Sequence, residues 1–161
     1  MNSIEQVLTS LRRVIRAIEL HSQQLVKTLS VTGPQLRLLQ LIKSQPNTSL
    51  RELANAMSLS QATVTSIMDR LEKRELIARI RSELDKRKIH PQLTLAGKTI
   101  VEKAPAPLQD SFVRKFEQLQ DWEQHMIIAS LQRVAEMMDA SEIDAAPFLD
   151  VGMLDKGADE Y

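Results

Sequence analysis

The sequence predicts a mainly α-helical protein with one small β-hairpin, and three features of residues 48–97 predict it. Two short segments with apolar residues at helical spacing come first, separated by a tight turn. Two segments that alternate apolar and polar residues follow. A charged turn separates these two segments. This order is that of a winged helix-turn-helix, which places its second helix in the major groove of DNA.

Capping residues mark the beginnings of both helices of the motif. Ser49 and Glu52 have the spacing of a capping box, in which each side chain accepts a hydrogen bond from a backbone N–H of the first turn. Ser60 is the expected N-cap of the second helix, which should run from about residue 61 to about residue 74. The predicted inner side of this helix is apolar and consists of Val64, Ile67, Met68 and Leu71.

The outer side of this second helix carries short hydroxyl and amide groups, whereas an ordinary exposed helix favours Lys and Glu. Short side chains allow the helix backbone to approach base edges, and hydroxyls bond either bases or phosphates. The alternative is an ordinary solvated polar face. We interpret the helix as a recognition helix whose DNA contacts come from Ser60, Gln61, Ala62, Thr63, Thr65, Ser66, Arg70 and Arg74.

The hairpin is expected at about residues 77–95, and its turn is strongly basic. A basic loop at the end of two strands suits a phosphate backbone or a narrow minor groove, although a solvated charged turn has the same composition. An acid among these cations would orient an arginine, so we expect Asp85 to pair with Arg79 or Arg87. The predicted DNA-binding residues of the wing are Arg79, Asp85, Lys86, Arg87 and Lys88.

Three motifs, in this order and at this spacing, resemble those of the MarR family of bacterial winged-helix regulators. They are residues 60–76 (SQATVTSIMDRLEKREL), residues 85–87 (DKR) and residues 93–97 (LTLAG). The resemblance implies a DNA-binding regulator whose N- and C-terminal helices form a dimerisation module. Glu75 departs from the family pattern, which usually has glycine there. We expect a left-handed backbone at Glu75, at a cost of roughly 1 kcal/mol.

The long helices on both sides of the motif carry apolar stripes that a small DNA-binding core would leave without a partner. Residues 1–31 are the predicted N-terminal dimerisation helix, and residues 98–139 the predicted linker and C-terminal dimerisation helices. Residues 32–97 lie between them as the DNA-binding region. Packing within one chain is the alternative to a homodimer. The predicted dimer contacts are Ile4, Leu8, Leu11, Ile15, Ile127, Leu131, Val134 and Met138.

The C-terminal third contains further signals. Pro105 and Pro107 predict a kink or short break, because each removes a backbone hydrogen bond and clashes with the preceding turn. Asp121 is expected to cap a last helix that ends at about Met138. Residues 140–161 form an acidic tail that is too apolar for pure disorder, so we expect an arm that packs on the dimer.

The charges balance overall, with 21 basic and 21 acidic residues, but not along the chain. Residues 60–98 carry a net charge of +4 and residues 136–161 carry −7, a dipole that would orient the protein on DNA. The chain has no cysteine, which excludes thiol-based redox sensing. It has neither a signal peptide nor an apolar run of spanning length, so we expect a cytoplasmic protein without a membrane partner.

The sequence offers no catalytic, cofactor or metal site, because its three histidines are far apart and no phosphate loop or nucleophile motif occurs. We therefore expect a sequence-specific regulator, in the sense of a repressor that binds double-stranded DNA at a pseudo-palindrome. A non-specific or architectural DNA binder and a dimeric protein-interaction module remain the alternatives.

Two features of the sequence bear on the signal that would control such a regulator. Aromatic residues make up only 3% of the chain, which argues against a large aromatic-lined pocket for a small-molecule effector. The segment TGPQL at residues 32–36, the region of His21 and the apolar-acidic tail resemble MarR-type repressors of ectoine operons. That resemblance implies an osmotic or ionic signal, and an unidentified small-molecule effector stays open beside it.

Overall fold

The computed structural model describes residues 2–81, 89–143, 145 and 147–150. In this part the chain forms seven helices and one antiparallel two-stranded sheet, so the predicted fold class is confirmed. The elements are α1 (Ser3–Leu29), α2 (Gly33–Ser44), α3 (Leu50–Met57), α4 (Gln61–Lys73), β1 (Ile77–Arg81), β2 (Ile89–Leu93), α5 (Leu95–Lys103), α6 (Leu108–Phe116) and α7 (Asp121–Met137). The strands pair from Ile77 opposite Leu93 to Arg81 opposite Ile89.

Some predicted features lie outside the described residues. They are the wing residues Asp85, Lys86, Arg87 and Lys88, and the part of the acidic tail beyond residue 150. The described chain divides into two compact units. The first contains α1 to α5, the hairpin and residues 147–150, and the second contains α6 and α7.

The proline-rich connection between α5 and α6 confirms the predicted interruption. α5 ends at Lys103, and the residues from Ala104 to Pro107 are not helical. Ala104, which precedes a proline, adopts an extended backbone with φ −67° and ψ 136°. This is the conformation that a following proline ring favours, so the chain breaks here instead of bending.

The core of the first unit is built mainly from α2, α3 and α4. Leu38 and Leu39 of α2 and Leu53 of α3 are fully buried. The four predicted inner residues of α4 join them, each at most 5% exposed. Burying an aliphatic side chain of this size contributes roughly 1.5–3 kcal/mol. The rotation of α4 about its own axis is therefore set by this core.

Hydrogen bonds at the first turns of α3 and α4 confirm the predicted caps. Ser49 Oγ accepts from the Glu52 N–H at 3.3 Å, and Glu52 Oε2 accepts from the Ser49 N–H at 2.8 Å. Ser60 Oγ accepts from the Thr63 N–H at 3.0 Å. Such a cap contributes about 1 kcal/mol and defines where each helix starts.

The last helix begins one residue earlier than the sequence predicted. Gln120, not Asp121, is the N-cap, with an extended backbone at φ −66° and ψ 151°. Its N–H donates to Glu123 Oε2 at 2.8 Å, which satisfies one of the free donors of the first turn. Asp121 instead becomes the first helical residue, where its negative charge suits the helix dipole.

The end of α4 is a Schellman motif at Glu75. Glu75 has φ 56°, the left-handed backbone that its position predicted. Its N–H donates to the Glu72 carbonyl at 2.8 Å, and the Leu76 N–H donates to the Leu71 carbonyl at 2.9 Å. These are the two hydrogen bonds that define the motif. The chain leaves the helix here and enters β1.

The same turn is bonded to the beginning of α5. Thr94 Oγ1 donates to the Glu75 carbonyl at 2.7 Å and accepts from the Gly97 N–H at 3.1 Å. The Thr94 N–H donates to the Leu76 carbonyl at 3.1 Å. A Cβ atom on Gly97 would lie only 2.1 Å from that carbonyl oxygen, so a larger residue would not fit. The segment LTLAG therefore joins the end of α4 to α5.

Replacing Glu75 by glycine should raise the free energy of unfolding by about 1 kcal/mol, because glycine adopts a left-handed backbone without steric cost. Urea denaturation of the parent and of the Glu75→Gly variant measures the difference. Glu117→Gly is the matched control, since Glu117 is also an exposed glutamate at the C-terminal end of a helix but has φ −64°. Glycine there should not stabilise, and equal effects at the two positions would contradict strain at Glu75.

Candidate nucleic-acid interface

The polar side of α4 faces solvent because its opposite side is the core. Gln61 and Ala62 are exposed, and Thr63, Thr65 and Ser66 are half-buried. Within the first two turns, all the predicted contact residues thus lie at the surface of the first unit. Their short side chains leave the helix backbone close to whatever binds there.

Hydrogen bonds within the helix hold two of the three hydroxyls on this face. Thr63 Oγ1 lies 2.8 Å from Ser60 Oγ, and Thr65 Oγ1 donates to the Gln61 carbonyl at 2.8 Å. The Ser66 hydroxyl makes no hydrogen bond to any residue that the structure describes. A hydroxyl that already donates can still accept, whereas Ser66 can do both. The face therefore offers ordered acceptors and one adaptable hydroxyl to a ligand.

Two arginines extend this surface toward the end of α4. Arg70 and Arg74 are half-buried and lie one helical turn apart. Each has an Nη1 atom that is buried and makes no hydrogen bond within the described residues. A guanidinium group carries several N–H donors and accepts nothing, so each of these half-buried side chains can donate to an anionic oxygen such as that of a phosphate.

Arg79, the first predicted cation of the wing, is held by two acids of α4. Its Nη2 pairs with Asp69 Oδ1, and its Nε lies 3.5 Å from Glu72 Oε2. The predicted orienting acid, Asp85, lies outside the described residues, and the acids in contact with Arg79 come from α4. Sequence reasoning missed this role of Asp69 and Glu72, although their spacing places them on one side of α4. The contact ties β1 to α4.

Two of the three histidines make backbone contacts. His90 Nδ1 lies 3.4 Å from the Thr48 carbonyl oxygen, and His125 Nδ1 lies 2.6 Å from the Asp121 carbonyl oxygen. Among the described residues, no cluster of three or more histidines and acids is placed to bind a metal ion. No described helix has the length and apolar character needed to cross a membrane.

Each of the two units also exposes an apolar helix face. On α1, Ile4 is 65% and Ile15 is 53% exposed, and Leu131 on α7 is 55% exposed. None of the eight predicted dimer contacts is buried in the single chain. Contiguous apolar surface of this kind marks interaction sites more often than it remains in water.

The MarR family profile matches residues 31–89, which contain the helix-turn-helix and the hairpin. The resemblance to the MarR family that the three sequence motifs indicate is confirmed. The chain is similar to the uncharacterized HTH-type transcriptional regulator YsmB of Bacillus subtilis, with 25% identity over 138 residues. The alignment covers 86% of this chain and 94% of YsmB.

Solved structures of MarR-type regulators have the same fold. BpsR of Bordetella bronchiseptica is 28% identical with a TM-score of 0.53, and the match covers 84% of this chain and 97% of BpsR. MepR of Staphylococcus aureus, in complex with DNA, is 21% identical with a TM-score of 0.56. That match covers 80% of this chain and 96% of MepR and supports the fold alone. The predicted winged helix-turn-helix is confirmed, and the chain is a MarR-type transcriptional regulator and not an enzyme.

The ion pair between Arg79 and Asp69 should contribute about 0.2–1 kcal/mol, because both side chains are partly exposed and water screens their attraction. A double-mutant cycle with Arg79→Ala, Asp69→Ala and the double variant, read by urea denaturation, measures this coupling. The same cycle with Arg81→Ala is the control, since Arg81 and Asp69 form no ion pair in the described part of the chain. Equal coupling energies in the two cycles would show that the contact does not form in solution.

Proposed function

We propose that this MarR-family regulator is a repressor that binds a pseudo-palindromic DNA operator as a homodimer. The observation that supports the proposal most directly is the outward polar face of α4. A helix that is apolar on its inner side and lined with hydroxyls on its outer side is suited to a major groove.

Base contacts are proposed for Gln61, Thr63, Thr65 and Ser66. The hydroxyl oxygens can accept hydrogen bonds from exocyclic amino groups, and the threonine methyls can contact thymine methyl groups. The exposed Gln61 side chain can donate and accept together, which is the pattern that an adenine edge requires. Ala62 lies at the first turn and leaves room for close approach of the backbone.

Phosphate contacts are proposed for Ser60, Arg70 and Arg74, and for the cations Lys86, Arg87 and Lys88 of the wing. The two arginines of α4 are half-buried and lie one helical turn apart, so both can donate to phosphate oxygens of one strand. Arg79 has a different part in this proposal. Because Asp69 and Glu72 engage its guanidinium, it orients the wing relative to α4 instead of acting as a free phosphate ligand.

The homodimer is proposed from the exposed apolar faces of α1 and α7. A two-fold axis would present two copies of α4 to one side of a duplex, in successive major grooves about one helical turn apart. Operator symmetry follows from the symmetry of the protein. Without a second chain, the apolar side chains of α1 would remain in water along most of a helix of 27 residues.

The location and the signal belong to the same proposal. A repressor of bacterial operons works in the cytoplasm, where its DNA is. BpsR is described as a protein whose DNA binding is regulated by 6-hydroxynicotinic acid, so a small-molecule effector is one candidate class for this chain. The osmotic or ionic signal that the sequence suggested is the other.

The test is selection of duplexes that the full chain binds from a pool of genomic fragments of its host, followed by sedimentation of the complex to count chains. We expect enrichment of one pseudo-palindrome with half-sites about 10 base pairs apart, bound by two chains. Repeating the selection across salt concentrations and candidate solutes identifies the class of signal.

Three outcomes would contradict the proposal. Equal affinity for selected and random duplexes would favour an architectural DNA binder. Absence of binding at low salt, where phosphate contacts are strongest, would favour a protein-interaction module. A single chain on an asymmetric site would rule out the proposed symmetry.

A further inference from the structure

The segment from Pro147 to Asp150, here called the C-terminal latch, lies against its own chain. The sequence had predicted an arm on the dimer. In the structure, the aromatic ring of Phe148 packs against the core of the first unit. The Asp150 carboxylate lies between α1 and α2 and contacts both helices. The latch therefore joins helices that are far from it in sequence.

Asp150 uses both carboxylate oxygens in this contact. Oδ1 accepts a hydrogen bond from the hydroxyl of Ser22, which is on α1 and only 9% exposed. Oδ2 accepts from the N–H of Gly33, the first residue of α2, at 3.0 Å. Charge-assisted bonds of this type are about twice as strong as neutral ones, and a carboxylate at a helix N-terminus is also favoured by the helix dipole.

The glycine at the first position of α2 fits the latch. A Cβ atom on Gly33 would lie 2.7 Å from Asp150 Oδ2, so a larger residue would displace the carboxylate. The connection that the latch bridges is short. It consists of Ser30 with a left-handed backbone at φ 54°, the fully buried Val31, and Thr32.

We infer that the C-terminal latch fixes the angle between α1 and α2, and that Asp150 is a positioning residue for operator binding. The inference rests on the homodimeric function proposed above. In that function α1 belongs to the dimer interface, whereas α2 packs in the core that orients α4. A change of the angle between α1 and α2 would therefore change the separation of the two α4 helices in the dimer. A fixed angle holds this separation at the value that matches one spacing of the operator half-sites.

The first experiment compares the parent with Asp150→Ala, which removes both acceptors and leaves the rest of the chain intact. Because the chain has no cysteine, Arg13→Cys on α1 and Asn55→Cys on α3 give a unique pair of exposed sites for spin labels. Labelled protein is diluted into excess unlabelled protein so that each distance reports on one chain. We expect a narrow distance distribution in the parent and a broader one in Asp150→Ala.

The same samples are titrated with the duplex recovered in the selection. We expect Asp150→Ala to bind it about fivefold or more weakly. Without the latch contact, the dimer must fix the angle between α1 and α2 when it binds DNA, and this ordering costs free energy. Glu142→Ala, an exposed acid of the same C-terminal region, is the matched control and should leave affinity and distances unchanged.

Gly33→Ala tests the same contact from the other side. In the parent it should weaken operator binding as Asp150→Ala does, because the added methyl group displaces the carboxylate. In the Asp150→Ala background it should have no further effect on affinity, since the carboxylate is already gone. Additive losses would show that the two substitutions act independently and would overturn the inference.

The two measurements decide the inference together. Unchanged distances in Asp150→Ala, or broader distances with unchanged affinity, would overturn it. If the parent itself bound no duplex, the proposed homodimeric repressor would fail, and the inferred role in operator binding with it. The distance distribution would then still show whether the latch fixes the angle between α1 and α2. Failure of the proposed function can therefore be distinguished from failure of the inference.

Discussion

The burial of one side of α4 is the constraint on which the rest of the molecule depends. The four apolar residues of this helix are at most 5% exposed, and they fix its rotation in the core. A shift of the pattern by one residue would turn the helix by about 100°. Such a turn would bring Thr65 or Asp69 toward the core, where a polar group without a partner costs roughly 1–3 kcal/mol or more. The hydroxyl-lined side therefore faces outward, because the opposite, apolar side is buried in the core.

The position of the wing follows from how α4 ends. The Schellman motif at Glu75 turns the chain into β1, and Thr94 and Gly97 bond the same turn to the first turn of α5. The pair between Arg79 and Asp69 adds a contact between strand and helix. Each contact is modest in energy, but together they connect α4, β1 and α5 within a few residues. The hairpin and α4 would therefore approach a duplex as one rigid unit.

Sequence reasoning was most accurate where structure depends on near neighbours. The caps at Ser49 and Ser60, the left-handed Glu75 and the break before Pro105 involve residues at most five positions apart. It was wrong at Asp121, because Gln120 is also able to cap and the backbone angles decide between them. It missed the contact between Arg79 and Asp69, which are 10 positions apart in the chain, and the contact between Asp150 and Ser22, which are 128 positions apart. The spacing of Asp69 and Glu72 places both acids on one side of α4, but only the fold shows that Arg79 lies beside them and that Asp150 lies beside Ser22.

The DNA specificity of a Ser66→Ala variant tests most directly whether the outer side of α4 reads bases, because Ser66 lies on that side and its hydroxyl bonds to no described residue. Its loss should not disturb the fold. Binding to the selected duplex and to random duplexes is measured at one salt concentration, with Ser44→Ala on α2 as the control. We predict that Ser66→Ala weakens binding to the selected duplex by about 1 kcal/mol or more and leaves random binding unchanged. Equal losses on both duplexes, or no loss on either, would contradict a base-reading role for this face.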